Sequence, residues 1–230
     1  MNKDFWTEFG RSTIDGLTGE VLTRRAHLAS SWQNWVFNGA LMFVAAGLGE
    51  ETLKYLPIAY ARRRGMPEER QKRKRAYVDY ALAGALGFGL VENIGCLYAA
   101  CEPKLEAWPK LVLTLFERVI VGQIGHISMA ALTALRAIRR DYYGDPLSWW
   151  GVVGPAVLYH GTFDYVALSA SALEGNVGWI HPSGLRIMAP MLGLCIGLVA
   201  SSVWQVRQEW NEIEDRDRII RSSEDESSEK

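Results

Sequence analysis

Several runs of twenty or more residues in this chain hold almost no charge, and the charge lies packed between them. That segregation constrains the fold more than any other feature. A hydrocarbon layer ~30 Å thick is crossed by about 20 apolar residues in a helix. Within it, backbone N–H and C=O groups must be satisfied inside the segment, which favours helices for runs of this length. Five spans are read, near 34–61, 77–101, 109–136, 147–173 and 184–206. The mean hydropathy of −0.03 hides them, because it averages them with the dense charge at 62–76 and 206–230. The expected fold class is therefore all-α, a polytopic transmembrane helical bundle with about five spans. A polar, interfacial segment over 1–33 precedes the membrane domain over 34–206. A charged cytoplasmic tail over 207–230 is expected to be disordered.

Charge also gives an orientation. The 62–76 loop holds eight Lys/Arg and the 136–146 loop three, whereas 101–109 holds one and 174–183 none. By the positive-inside rule the basic loops and the C-terminus are cytoplasmic and the N-terminus is outside or lumenal. The basic loop between two apolar runs suits anionic lipid, and the net charge of −1 argues against a nucleic-acid partner. Three cysteines make no disulfide framework, and no apolar h-region of a signal peptide occurs in the first thirty residues. Trp108, Trp149, Trp150, Trp179 and Trp204 read as interfacial belts. Ala85 and Gly89, and Gly193 and Gly197, have the small-xxx-small spacing that lets helices approach.

Four of the spans carry ionisable side chains that lipid does not tolerate cheaply. They are Glu50, Glu51 and Lys54, then Glu92, then His126, then His160 and Asp164. An Asp, Lys or Arg at mid-bilayer costs at least ~2.5–3.5 kcal/mol, so such residues usually serve function. Glu50 is twelve residues from Arg62, His126 ten from Arg136, His160 thirteen from Leu147, and Glu92 seventeen from Arg75. At ~1.5 Å per residue these distances place all four near one layer, about 15–25 Å from the cytoplasmic side. Spacing within helices adds detail. Lys54 is i+4 from Glu50 and i+3 from Glu51, so it can neutralise one glutamate. Asp164 is i+4 from His160 and can orient the imidazole or supply another ligand. Phe88 is one turn before Glu92 and lines the same side.

Carboxylates and imidazoles together bind zinc, activate water and cleave amides. Glu92, His126 and His160 can ligate a metal, leaving Glu50 or Glu51 as general base. Without metal, a glutamate can activate water while the histidines stabilise the oxyanion. Each residue alone has a plainer reading. The double glutamate can sit at a helix end, Glu92 can bond Asn93 or another helix, and His126 can be an interhelical hydrogen bonder. Asp79 reads as interfacial, and His27 and His181 as solvent-facing. Glu117 and Arg118 read as a pair that bridges helices or snorkels, without a catalytic role.

The ordered set EExxK (Glu50, Glu51, Lys54), FxxxEN (Phe88 to Asn93), a lone helix histidine (His126) and HxxxD (His160 to Asp164) resembles the PrsW-type intramembrane proteases, relatives of the CAAX prenyl endopeptidases. The resemblance covers about residues 40–170. It implies a polytopic helical peptidase with Glu50, Glu51, Glu92, His126 and His160 carrying the chemistry, supported by Lys54, Asn93 and Asp164. Membrane-protein or peptide substrates follow from the same resemblance, with membrane-anchored anti-sigma factors the substrate class of the bacterial branch; the zinc cofactor is expected from the carboxylate–imidazole set itself. Family members usually carry more spans before the EExxK helix, whereas here one precedes the 62–76 loop. Two other classes fit the polar spans. A non-catalytic scaffold of the same superfamily could lose Glu50 and Glu51, which this chain keeps. An ion or proton transporter often shows an internal repeat, and none is found.

Overall fold

The computed structural model describes residues 3–11, 14–63, 70–100, 112, 115–180, 182 and 184–228, with backbone only at 70–73, 96–100 and 227–228. The described residues are helical, with no strand among them. Expectations for residues 64–69 of the basic loop, Cys101, Trp108, Pro109 and His181 lie outside the described residues.

Three short helices open the chain: α1 (Lys3–Phe9), α2 (Gly19–Ser30) and α3 (Trp32–Ala40). Thr18 caps α2 and Ser31 caps α3, each side-chain oxygen accepting from an orphan N–H of the first turn. A π-helical segment, Leu41–Glu50, continues α3 directly into α4 (Glu51–Arg63). Next come α5 (Arg70–Ala100), a second π-helical segment (Phe116–Gly122), α6 (Gln123–Tyr143), α7 (Trp149–Leu173) and α8 (Leu185–Ser228). Among the described residues, two helical stretches are long and apolar enough to cross a membrane, Phe116–Tyr143 and Leu185–Glu226. Helix α7 is 25 residues long, but His160 and Asp164 dilute its apolarity.

The interfacial reading of the N-terminus meets a more specific arrangement. Phe5, Trp6, Phe9 and Phe37 form an edge-on aromatic cluster. Arg25, fully buried, donates to Glu8 Oε2 at 2.7 Å and to the Val177 carbonyl at 3.0 Å, fastening α1 and α2 to the loop after α7. Gly178, at φ +83°, lies where a Cβ would stand 2.3 Å from the Phe9 carbonyl oxygen. Both the dihedral and the close approach require glycine there.

Helix α6 is central, packed by α5, α7 and α8. Its buried Ala130, Ala134 and Ala137 and the buried Ala81 and Ala85 of α5 keep these helices close. A Cβ at Gly89 would crowd the Gln123 side chain, so the expected Ala85–Gly89 face does meet a neighbour. The Gly193–Gly197 face does not: a Cβ at either position meets nothing within 4 Å.

The charged run from 207 onward, expected to be disordered, instead continues α8 as helix to Ser228. The reason is an ionic network at the end of the bundle. Glu209 accepts from Arg136 (3.1 Å) and Arg139 (2.6 Å), and Asp145 accepts from Arg139 (2.8 Å) and Arg216 (2.7 Å). Asp217 takes Lys74 of α5 and, at 2.6 Å, the Tyr143 hydroxyl. Ile213 is buried between these contacts. Composition alone misses this, because the acidic residues of the tail find basic partners more than sixty residues earlier.

Candidate active site

Each motif reaches the centre of the bundle from a different element. Glu50 ends the first π-helical segment, Glu51 and Lys54 begin α4, Glu92 lies on α5, His126 on α6, and His160 and Asp164 on α7. The approach of the first π segment to α7 depends on small residues. A Cβ on Gly47 would lie 2.9 Å from the Val157 carbonyl oxygen, and one on Gly161 would lie 2.5 Å from Phe43.

Lys54 Nζ lies 2.7 Å from Glu51 Oε1 and 2.7 Å from His126 Nδ1, with Glu50 Oε2 at 3.9 Å. An ammonium has only donors, so His126 Nδ1 accepts and its proton sits on Nε2. Nε2 then donates to Glu92 Oε2 at 2.7 Å. The other Glu92 oxygen takes Arg118 Nη1 at 3.1 Å. Both ring nitrogens of His160 face carboxylates: Nδ1 meets Glu51 Oε1 at 2.8 Å, and Nε2 meets Asp164 Oδ2 at 3.3 Å and Glu50 Oε2 at 3.5 Å. The two imidazoles stand edge to face, ring centroids 5.3 Å apart. Phe88 packs against His126 and under Lys54 Nζ, as its spacing from Glu92 predicts.

All of Glu50, Glu51, Lys54, Glu92, His126, His160 and Asp164 are thus in one contact network. Glu51 is 1% exposed, while Glu50 and Glu92 keep about a quarter of their side chains accessible, at 24% and 26%. A cavity of about 20 Å³ lies beside the histidines, lined by Glu92, Asn93, Arg118, His126, His160 and Asp164 among others. A cavity larger than about 10–15 Å³ with several polar partners can hold a water, and both conditions hold here. Arg118 is the residue that sequence reading set aside. Of its two readings, pairing across helices or snorkelling, the structure gives the first, and the partner is Glu92.

One ligand atom from each of Glu50, His126 and His160 lies within 4.8 Å of the others, a group that can hold a metal ion. The set expected from sequence has Glu92 in place of Glu50. Glu92 is instead engaged by His126 Nε2 and Arg118. Two further observations fit a cation. The network sets four carboxylates (Glu50, Glu51, Glu92, Asp164) against two fixed positive charges (Lys54, Arg118). Among the described residues, Glu50 Oε2 and Glu51 Oε2 are buried and find no hydrogen-bond partner, a state that buried carboxylate oxygens rarely keep.

A helical membrane protein whose centre is a buried carboxylate–imidazole cluster beside a water-sized cavity is suited to hydrolysis within the bilayer. The family model described as PrsW family intramembrane metalloprotease matches residues 13–207, and the chain belongs to this family. Membership supports an intramembrane protease acting on membrane-associated proteins. No curated protein and no solved structure matches the chain.

Proposed function

We propose that this protein is a multi-pass intramembrane endopeptidase that hydrolyses peptide bonds of membrane-associated substrates, with a zinc-type ion held by Glu50, His126 and His160. The observation that carries the proposal is the water-sized cavity bounded by Glu92, His126, His160 and Asp164, with the Glu50–Glu51 pair behind His160. A bound ion of this type would polarise the scissile carbonyl and make water more acidic. The protein's own groups supply the rest. Glu51 is held through Oε1 by Lys54 and His160, and its Oε2 finds no hydrogen-bond partner among the described residues. We assign Glu51 the proton of the attacking water. The water oxygen adds to the carbonyl carbon, the C–N bond breaks, and the proton passes to the departing amide nitrogen. Glu92 fixes His126 through Nε2, so Nδ1, which faces Lys54 Nζ, is the nitrogen that would hold an ion in place of that contact; Asp164 fixes His160. Asn93 lines the cavity, where its side-chain amide can bond the substrate backbone.

A second reading dispenses with metal. It is favoured by the partners already present, since all four imidazole nitrogens have a protein polar atom within 3.5 Å. In that case Glu50 takes the water proton and the imidazoles stabilise the oxyanion. Both readings share the product, a cleaved membrane protein.

The placement in the membrane belongs to the same proposal: about five spans, the N-terminus outside and the C-terminus cytoplasmic. The two long apolar stretches and the loop-charge asymmetry support it. The test is a proteomic comparison of membrane-protein fragments in cells expressing wild type or Glu50→Gln/Glu51→Gln. Fragments that vanish in the double variant are expected; identical fragment patterns would overturn the peptidase reading.

A further inference from the structure

We infer that Arg118 is a positioning residue for the site, acting on His126 through Glu92; the catalytic consequence rests on the peptidase reading above, but the positioning does not. Three observations meet at this side chain. Its Nη1 donates to Glu92 Oε1 at 3.1 Å while Glu92 Oε2 takes His126 Nε2 at 2.7 Å, so one carboxylate bridges the guanidinium and the imidazole. Arg118 lines the cavity with Glu92, Asn93, His126, His160 and Asp164. It sits in the π-helical segment Phe116–Gly122, which runs straight into α6 and its His126.

The physical logic is one of direction. A carboxylate on a helix can swing among rotamers, and only some aim an oxygen at the imidazole edge. A guanidinium on one oxygen removes that freedom and leaves the other oxygen on Nε2. On the opposite edge of the ring, Lys54 Nζ holds Nδ1 at 2.7 Å. The imidazole is therefore clamped between two cation-anchored contacts, and its tautomer is set by them. The π-helical segment explains the reach. Its i→i+5 bonding adds a residue to the turn, so Arg118 lies nearer the His126 face than the ~80° offset that eight residues of regular α-helix give. On its outer side the guanidinium lies 5.8 Å from the Trp179 ring, which keeps a second side of the group in place.

The test reads the ring directly. The chain has four histidines, so ¹⁵N-histidine NMR of the full-length protein in nanodiscs can follow His126, assigned by loss of its signals in His126→Gln. Arg118→Gln is expected to move the His126 Nε2 signal, Glu92→Gln to move it in the same sense, and Arg118→Lys to return it toward wild type. The His160 signals should stay within the wild-type line width in all three. Fragment formation in cells is expected to fall about 10–100-fold in Arg118→Gln, the usual range for loss of an orienting partner, with partial recovery in Arg118→Lys. An unmoved His126 signal in Arg118→Gln overturns the inference. So does equal movement of His126 and His160, which marks a general loss of packing. If Arg118→Gln does not fold, Arg118→Met, which keeps the stem and removes the guanidinium, is read by the same criterion. Movement of His126 in a protein whose wild type makes no fragments would leave Arg118 as the positioning residue and remove the peptidase reading alone.

Discussion

Nδ1 of His160 sits 2.8 Å from Oε1 of Glu51, although the two residues are 109 positions apart. The contact closes the site: it joins the EExxK helix to the HxxxD helix, and both groups are buried. Replacing Glu51 by Gln keeps the shape and removes the charge. Cleavage is expected to fall about a hundredfold or more, the contribution of a positioned acid–base group. Fragment proteomics checks it alongside circular dichroism of the purified variant, which should be unchanged.

Metal content separates the two mechanisms. Purified protein is expected to carry about one zinc-type ion per chain, as a single set of three protein ligands with a fourth position for water holds. His126→Ala and His160→Ala should each lose it, while His27→Ala, at an exposed helix position, should not. Inductively coupled plasma mass spectrometry gives the stoichiometry. Full cleavage by a metal-stripped sample would eliminate the metal and leave the glutamate mechanism standing.

Lys54 is the cation that the buried glutamate depends on. Lys54→Met leaves Glu51 charged and short of its 2.7 Å partner. Breaking one side of a buried pair costs about 3–5 kcal/mol. A lowered thermal midpoint in detergent is expected, larger than that of the exposed-pair variant Arg75→Met, whose partner Asp79 is itself exposed.

Helix approach can be tested without touching the chemistry. In Gly47→Ala the new methyl would lie 2.9 Å from the Val157 carbonyl oxygen, forcing the π segment away from α7. Overpacking of this kind costs about 1–3 kcal/mol, and it should also separate Glu50 and Glu51 from His160. Gly197→Ala meets nothing within 4 Å and should behave as wild type. Equal effects of the two substitutions would contradict this account of the approach.

The C-terminal half of α8 should detach in acid. The Arg216 guanidinium beside Asp145, with Arg139 added, holds the Asp145 carboxyl below the usual range against its burial. Burial pushes Asp217 the other way, but Lys74 and Tyr143 outweigh it and its carboxyl is also lowered. Depressed carboxylates stabilise the fold above their unfolded value, about 3.9, and that stability is lost as pH falls through the folded value. Spin-label distances between α6 and α8 should therefore hold from neutral pH to about 4 and lengthen below it. Arg139→Ala, which strips a partner from Asp145 and Glu209, should raise the pH of that transition and lower stability by about 1–3 kcal/mol.

Much of the site is legible in the chain because its residues are costly where they stand. Glu51, His126 and His160 are conspicuous in apolar runs, and helical counting puts them near one layer before any contact is known. The i+3 step from Glu51 to Lys54 and the i+4 step from His160 to Asp164 appear in the fold as contacts of 2.7 and 3.3 Å. Arg118 is read as pairing across helices or snorkelling, but its tie to the site escapes, because the sequence does not say that the partner is Glu92, 26 residues away. The tail escapes because a run of mixed charge looks the same whether its partners are solvent or another helix.

By itself the sequence determined the all-helical class, the ordered motifs and the side chains able to do chemistry, since burial of charge in an apolar run is expensive whatever the fold. The tertiary structure alone decided how those side chains divide their work: Glu50 grouped with the two histidines, Glu92 turned to His126 and Arg118, and Glu51 shared by Lys54 and His160. That division depends on helix rotation and close approach. Two π-helical segments shift the register just before Glu51 and just before α6, and Gly47 and Gly161 let the first of them settle onto α7. A 3.6-residue period read along the chain contains neither quantity.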